Sequence, residues 1–550
     1  MRILVVGGVA GGMSFAARAR RLDEDAEIVV FERDPYVSFA NCGLPYYVGG
    51  EIERRDDLLL HTPETLAASL TLDVRVGHEV TSVDPGAKTI TVTTPSGDQV
   101  TEPYDTLVLS TGAAPIVPPI TGLDLPEVRE RTHVLRNVPD VDAISELVDR
   151  GASHAVILGA GFIGLEMAEA LAHRGLHVTL VDLADQVLAP LDPEMARTVQ
   201  TELSRAGVDV RLGVSATAID ATHVTLSDGT RVPTDLTLLA IGVRPESELA
   251  RGAGLELGVR DAIRVDSHSL TSDPHIYAVG DSVEVTNAVT DQVGLVPLAG
   301  LANRQGRAAA DHLFGRRDQR PAALGTAIVR VFDITAATTG ASEKVLAAQG
   351  VPFHKVYLHP NDHAGYYPGA AAIHLKVLFS PDGRLLGAQA VGREGVDKRI
   401  DVFATALRAG MTVDDLAELE LAYAPPFGSA KDPVNMAGFM AQNLLRGDVA
   451  FWYGEDLPSL PDDAVLLDTR TPREFAREAL PGAVNIPHTE LRDRLGEIPA
   501  GRPVYAYCAS GFRSYLAARI LMQRGYRAAT LAGGMATMKS WLKIEREAAE

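Results

Sequence analysis

Two cysteines carry the first chemical information in a chain of 550 residues. Cys42 lies in Ser38-Phe-Ala-Asn-Cys42-Gly-Leu-Pro-Tyr-Tyr47, and Cys508 lies far downstream in Cys508-Ala-Ser-Gly-Phe-Arg513. Two lone thiols in such different surroundings do not make a secreted disulfide framework; they point to two separate sulfur chemistries. A solitary cysteine takes up an electron pair either as a sulfenic acid or after joining an external sulfur. The first course makes an oxidase or peroxidase, the second a reductase of small-molecule disulfides, and residue types alone leave both open. Cys508 sits between the apolar stretch Val504 to Tyr507 and a helix-like segment. Backbone N–H groups curling around the sulfur, a helix N-terminus and Arg513 favour a thiolate and a bound anion there. Four residues separate Cys508 from Arg513, a tighter loop than the five-residue spacing of cysteine phosphatases and one that suits a persulfide sulfur.

Two glycine turns carry the second. Residues Gly7, Gly8, Val9, Ala10, Gly11 and Gly12 follow an apolar strand and lead into a helix-like stretch, Met13 to Leu22; the next strand ends at Glu32. Downstream, Ala155-Val-Ile-Leu runs into Gly159-Ala-Gly-Phe-Ile-Gly164, a helix through Ala172 and a strand from His177 to Asp182. Such glycines let the backbone turn tightly and approach a pyrophosphate at a helix N-terminus, where free N–H groups and the helix dipole favour negative charge. Asp182 lies 18 residues beyond Gly164, and no arginine follows it within five residues. That carboxylate suits the ribose hydroxyls of NADH and repels the 2′-phosphate of NADPH. In the first turn Val9 stands where the middle glycine belongs, and Glu32 lies 20 residues beyond Gly12.

These residues need elements to position them. Two β-turn-α-β units imply two doubly wound nucleotide-binding domains, each closed by a strand-to-glycine exit, Tyr104 to Gly112 and Asp235 to Gly242. Past about residue 323 the pattern changes. Ala327 to Ala337 is strand-like, and Ile373–Phe379 and Leu385–Val391 flank the turn Ser380-Pro-Asp-Gly383 as a hairpin. A polar, proline-bearing connection near Gly454 to Asp463 leads to a last small domain, and Gly447 to Gly454, with Trp452, reads as a hinge or docking surface. With 51 basic against 72 acidic side chains the formal charge is -21, which argues against a nucleic-acid surface. The N-terminal apolar run carries four glycines and leads straight into Arg18, Arg20 and Arg21, so it reads as strand and turn rather than a secretory signal. The expectation is a cytoplasmic protein with no membrane partner.

Ile276-Tyr-Ala-Val-Gly-Asp281 completes an ordered set. Over roughly residues 1 to 445 the chain resembles the two-dinucleotide-binding-domain flavoproteins. The resemblance implies FAD on Gly7, Gly8, Val9, Ala10, Gly11, Gly12, Glu32, Arg33, Asn41, Val80, Thr111, Gly112, Asp281, Pro297, Leu298 and Ala299. It implies NADH on Gly159, Gly161, Phe162, Ile163, Gly164, Asp182 and Gly242. Members that reduce disulfides intramolecularly carry C-x4-C at the Cys42 position, whereas residue 47 here is Tyr. The segment is similar to the Ser-Phe-x-x-Cys-x-Leu-Pro pattern of the coenzyme A-disulfide reductases, as are His363-Ala-Gly-Tyr-Tyr-Pro-Gly369, Leu421-Ala-Tyr-Ala-Pro-Pro426 and Lys431-Asp-Pro-Val-Asn435.

That resemblance implies a homodimer in which a tyrosine from each of two partner segments hydrogen-bonds the active sulfur. The matching positions are Tyr423 and either Tyr366 or Tyr367. Such hydroxyls would lower the thiol pKa. It also implies a coenzyme A channel lined by Ser14, Arg18, Arg21, Ser38, Asn41, Arg304 and Lys431; Arg18 and Arg21, three apart, share a helix face. The Cys508 loop, with Val465 to Phe475, Leu480 to Pro487 and Leu531-Ala-Gly-Gly534, resembles the rhodanese sulfurtransferases, with Asp468 pinning loops.

The expected fold class is α/β: two doubly wound dinucleotide-binding domains, an α+β dimerisation domain and an α/β rhodanese domain. The expected boundaries are 1–112 with 250–322 for FAD, 113–249 for NAD, 323–447 for dimerisation, 448–458 as linker and 459–550 for the rhodanese domain. The expected activity is NADH-dependent reduction of coenzyme A disulfide, coenzyme A persulfide or polysulfide through a Cys42–S–S–CoA mixed disulfide. Cys508 would carry sulfane sulfur, and no metal is called for. The alternative is an NADH oxidase or peroxidase using a Cys42 sulfenic acid, with the last domain as a binding module.

Overall fold

The computed structural model describes residues 1–316 and 322–549. They form two compact units, Met1–Val187 with Ser204–Gly325 and Leu188–Leu203 with Thr326–Glu550. Residues 317–321 of the expected 250–322 segment, and residue 550, lie outside the described residues.

The first unit holds two five-stranded parallel sheets. Across the first, the order is Ile276–Ala278, Thr106–Leu109, Arg2–Val6, Glu27–Glu32, Asp73–Val76. Successive residues of a strand face opposite sides. Leu4, Val6, Val29, Phe31, Leu107 and Leu109 therefore enter one core, and Ile3, Val5, Ile28, Val30 and Val108 the other. Burial on both faces is why these strands read as unbroken apolar runs. The strand order reverses beside Arg2–Val6, so a crevice opens at that strand's carboxyl end, where Gly7 begins its turn. The second sheet repeats the plan in the order Asp209–Leu212, His177–Asp182, His154–Leu158, Leu236–Leu239, Thr132–His133, again all parallel. Each sheet is accompanied by a three-stranded antiparallel meander, Glu79–Asp84 with Thr89–Thr93 and Gln99–Pro103, and Ala216–Ile219 with His223–Leu226 and Arg231–Pro233.

In the second unit an antiparallel sheet runs Ala327–Val331, Ile334–Gly340, Leu385–Gly392, Ile373–Phe379, His354–Leu358. The strand-like stretch from Ala327 to Ala337 forms two strands, turned at Phe332 with φ +52°; no glycine or proline marks that turn. The expected hairpin forms, with Gly383 at φ +86°. One face, including Val356, Leu358, Leu375, Val377 and Phe379, packs on the helices Val396–Ala409 and Pro433–Leu445. The other face carries Lys355, Tyr357 and Lys376, all buried. Residues Leu188–Leu203, which lie within the expected 113–249 segment, cluster with this unit.

The last domain is a parallel sheet in the order Phe451–Trp452, Ala528–Leu531, Val504–Tyr507, Val465–Asp468, Val484–Asn485. Part of the stretch expected as a linker, 448–458, thus supplies an edge strand. Trp452 is 2% exposed, and its Nε1–H donates to the Ala506 carbonyl at 3.1 Å. A two-residue strand is too short to show periodicity, which is why the sequence suggests a hinge or docking surface there instead. Among the described residues no helix is long and apolar enough to cross a membrane.

Candidate active sites

The two glycine turns superpose in their chemistry. Gly7 and Gly159 adopt φ +102° and +110°, where a side chain would also collide with the Ser110 and Ala240 carbonyls respectively. A Cβ on Gly12 or Gly164 would collide with the carbonyl of Gly7 or Gly159, so the helices Ala10–Arg20 and Phe162–His173 start against the turn itself. The middle position is different. Gly161 has φ -80°, and a Cβ there meets nothing within 4 Å. Val9 at the equivalent N-cap, φ -115°, therefore leaves the cradle intact.

Each acidic strand end is tied back to its turn. Glu32 accepts from Gly8 N at 2.8 Å and Asp34 N at 2.9 Å; Asp182 accepts from Ala160 N at 2.6 Å and Ala184 N at 2.8 Å. Burial raises the Glu32 pKa against those hydrogen bonds. Gly11 packs against the helix Ala299–Leu313, where Gly306 has no room for a Cβ because the Gly11 carbonyl occupies it. Leu298 is the N-cap of that helix, after exposed Pro297, and Ala299 opens it. Thr111 and Gly112 follow the strand Thr106–Leu109, with Gly112 at φ +73°, and Gly242 at φ +121° follows Leu236–Leu239. Ile163 is 38% exposed in the first turn of its helix, next to Phe162. Val80 is buried in the first meander, paired with Val92.

Asp281 follows Gly280, whose N–H donates to Gln305 Oε1 at 2.7 Å. Gln305 is 2% exposed, and its Nε2 has no protein partner. Burial pushes the Asp281 carboxyl up to about 6, with Arg136 opposing. An orphaned buried amide, a desolvated carboxyl and a turn with no room for a Cβ at Gly7 or Gly12 fit a polar dinucleotide, and the residues present fit FAD. Gln305 was not foreseen; a glutamine inside an otherwise small and apolar helix face was its only signal. Nor was Glu246, which takes Arg33 and Arg136 at 2.8 Å each and is held below the usual carboxylate range by them despite its burial. Arg33 is thereby committed to an ion pair.

Cys42 is placed by the loop that closes on the first turn. Ser38, at φ +48°, donates its N–H to the Gly8 carbonyl at 2.8 Å, and Ala40 N–H reaches Leu58 O at 2.8 Å. Asn41 opens the short turn Asn41–Gly43 that presents Cys42 as an exposed free thiol. Partial desolvation and the negative charges of Glu166 and Asp281 push its pKa above the ordinary thiol value. Within this chain the surroundings therefore oppose the thiolate. The expected cations are unevenly free. Arg18 is paired with Asp311 at 2.6 Å, so its charge is already met. Ser14 donates to Asn303 Oδ1 at 2.7 Å. Arg21, Arg304 and Lys431 are exposed.

In the second unit Tyr366 and Tyr423 meet hydroxyl to hydroxyl at 2.9 Å, and they are 76% and 48% exposed. Tyr367 instead packs edge-on against His363, so Tyr366 is the one that pairs with Tyr423. The motif after Lys431 is structural: Asp432 caps the helix Pro433–Leu445 through Val434 N at 3.0 Å and accepts from Arg399 at 3.0 Å, while Asn435 donates to Leu419 O at 2.9 Å.

Cys508 ends the strand Val504–Tyr507 and is 1% exposed. Gly511 N–H points at its sulfur at 3.1 Å, and the Ser514 hydroxyl lies at 3.4 Å. Arg513 makes a two-pronged pair with Glu474 at 2.8 and 2.7 Å, a partner the sequence reading missed. Thr471 and Glu474 form a reciprocal cap of the helix Pro472–Arg477, and the Thr-x-x-Glu spacing was the available signal. The Arg513 hydrogen bonds hold the Glu474 carboxyl down at about 2. The guanidinium is therefore shared between a carboxylate and the cysteine loop rather than free for an anion. Asp468 is fully buried and accepts Arg470 Nη2 at 2.6 Å, a structural pin as expected.

The model of the pyridine nucleotide-disulphide oxidoreductases matches residues 1–306, that of their dimerisation domain residues 326–433, and that of rhodanese-like domains residues 455–540. The coenzyme A disulfide reductase of Staphylococcus haemolyticus is 37% identical over 447 residues, 80% of this chain and all of that protein. Two solved structures match nearly the whole chain. The reduced Bacillus anthracis CoADR-RHD shares 46% identity, with a TM-score of 0.96 and 98% of each chain covered. The NAD-dependent persulfide reductase from A. fulgidus shares 39% identity, with a TM-score of 0.91 and coverage of 98% of this chain and 100% of that one. The chain belongs to the pyridine nucleotide-disulphide oxidoreductase family, FAD- and pyridine-nucleotide-using enzymes, and carries that family's dimerisation domain followed by a rhodanese-like domain.

Proposed function

We propose that the protein is an NADH-dependent reductase of coenzyme A disulfide and coenzyme A persulfide, working as a homodimer through Cys42. The carrying observation is that Cys42 is a free, accessible thiol with Tyr, not Cys, at position 47. In this reading its redox partner is a borrowed sulfur.

The Cys42 thiolate attacks coenzyme A disulfide, forming Cys42–S–S–CoA and releasing one coenzyme A thiolate. With coenzyme A persulfide the same attack releases hydrosulfide instead. A bound flavin supplies the electron pair taken as hydride from NADH. Cleavage of the mixed disulfide frees coenzyme A and restores the Cys42 thiolate. Because Glu166 and Asp281 disfavour that thiolate, another donor must support it; the exposed Tyr366 and Tyr423 hydroxyls, offered by the partner subunit, are suited to the task. Asp182 at the strand end favours NADH over NADPH. Exposed Arg21, Arg304 and Lys431 are the cations available to the coenzyme A phosphates.

Cys508 carries sulfane sulfur to or from the coenzyme A-bound group. Covalent linkage of the two domains raises their mutual effective concentration. The sulfenic-acid reading is not favoured, since a relative matched over 80% of the chain is a coenzyme A disulfide reductase by name and a structure matched over 98% of it is a persulfide reductase by name. Intact-mass analysis of the purified protein tests the proposal: an adduct of coenzyme A on Cys42, lost in Cys42→Ser together with disulfide-dependent NADH oxidation, is the expected result. Undiminished turnover by Cys42→Ser overturns it.

A further inference from the structure

The carbonyls of Cys508 and Ala509 accept from Met535 N at 2.8 Å and Ala536 N at 2.9 Å. These are first-turn N–H groups of the helix Gly534–Ala549, which lack intrahelical partners. With these two carbonyls turned toward that helix, the Gly511 N–H is left facing the sulfur. The position of the helix start therefore decides where the donor to Cys508 points. The fit is close: a Cβ on Gly534, φ +62°, would crowd the Cys508 carbonyl and the amides of Ser510 and Gly511.

One side chain from outside the domain grips this helix start. His359 Nε2 lies 2.9 Å from the hydroxyl of buried Thr537, and Gly533, at φ +70°, leaves no room for a side chain between them. On its other nitrogen, His359 Nδ1 lies 2.8 Å from His374 Nδ1 on the neighbouring strand Ile373–Phe379. One of those two nitrogens carries a proton and the other does not, so the row His374–His359–Thr537 has a single hydrogen-bond direction. The strand His354–Leu358 is the edge of the antiparallel sheet, and alternate positions from it reach the rhodanese-like domain. Lys355 pairs with Glu455, Tyr357 packs edge-on against Tyr453, and His359 holds Thr537. Of these contacts, only that of His359 falls on the helix whose first turn caps the cysteine loop.

We propose that His359 is a positioning residue for sulfur transfer at Cys508, acting from the reductase part of the chain through Thr537 and the start of the helix Gly534–Ala549. The proposal rests on the reading of Cys508 as a sulfur carrier. In that step the Cys508 thiolate attacks the outer sulfur of a thiol persulfide, R–S–SH. The S–S bond of the donor breaks, one forms to Cys508, R–S⁻ departs and the proton stays on the transferred sulfur. Cyanide then removes that sulfur as thiocyanate and leaves the Cys508 thiol. Neither half needs an external oxidant or reductant.

The test uses the full-length flavoenzyme with glutathione persulfide as donor and cyanide as acceptor. His359→Ala and Thr537→Val are each expected to lower kcat for thiocyanate formation by on the order of tenfold with little change in donor KM. The double variant should be no worse than either single one. His359→Gln, which keeps a polar group near the Nε2 position, should recover part of the rate. NADH oxidation with coenzyme A disulfide should be unaltered in all of them, which also shows that they fold. If wild type forms thiocyanate through Cys508 but His359→Ala and Thr537→Val match it, the positioning role is wrong. If Cys508→Ala forms thiocyanate as fast as wild type, the sulfur-carrier reading fails and the proposal falls with it.

Discussion

Lys376 Nζ lies 2.6 Å from Glu194 Oε1, with both side chains closed off from solvent. Asp192 at 2.8 Å and Glu343 at 2.6 Å complete the set, and the Tyr357 hydroxyl donates to Glu194 at 2.8 Å. Three carboxylates this close resemble a divalent-cation site, but the ammonium already stands among them. Burial works against the charged lysine; Glu194, Asp192 and Glu343 more than offset it and raise its pKa above the ordinary lysine value.

Removing the ammonium leaves like charges buried together. Lys376→Met should therefore cost about 3–5 kcal/mol of unfolding free energy, read from denaturant curves at neutral pH. Because the folded pKa is raised, the lysine's contribution is fully present below its unfolded value and is lost only as pH rises through the folded one. The variant and wild type should differ throughout the neutral range and converge in strong alkali.

The glycine turns give a separable pair of outcomes. A Cβ on Gly12 collides with Gly7, and one on Gly164 with Gly159. Gly12→Ala should lose flavin on purification, seen in the visible spectrum. Gly164→Ala should keep its flavin while NADH no longer bleaches it. Gly161→Ala, where nothing stands within 4 Å and φ is negative, should bind both. Loss of flavin from Gly164→Ala would reverse the assignment of the two domains.

The parallel sheets were legible because buried strands bounded by glycine turns leave a dense local pattern, and Val9 departs from the motif without cost, since geometry there tolerates a side chain. What stayed hidden depends on contacts between segments distant in sequence. Lys376 stands in an alternating strand whose polar face reads as solvated, yet it is 0% exposed because Asp192 and Glu194 cover it. Arg18 and Arg513 were recognisable as cations near the two sites, but their partners Asp311 and Glu474, which decide whether the charge is free, come from other elements. Phe332 turns the chain with neither glycine nor proline.

The proposed preference for NADH rests on Asp182. Its oxygens accept Ala160 N and Ala184 N, which fixes the carboxylate at the end of the strand His177–Asp182. Asp182→Ser removes the charge that would repel a 2′-phosphate. The ratio of kcat/KM for NADPH to that for NADH should rise by on the order of tenfold or more, given about 1.5–3 kcal/mol for a hydrogen bond to a charged group. An unchanged ratio would place the discrimination elsewhere.

The titration of Cys42 distinguishes the forces acting on it. Desolvation, then Glu166, then Asp281 raise its pKa. Glu166 also accepts from the Tyr46 hydroxyl at 3.3 Å, which fixes it near the loop that carries the cysteine. Replacing Glu166 with Gln removes a negative charge and favours the thiolate, so the midpoint for iodoacetamide alkylation of Cys42 should fall. Tyr423→Phe removes a hydroxyl donor, so the same midpoint should rise if the partner's tyrosine supports the thiolate. The two variants therefore move one observable in opposite directions, measured on the oxidised holoenzyme by peptide mass spectrometry. A fall in both would mean that the Tyr423 hydroxyl does not donate to the Cys42 thiolate.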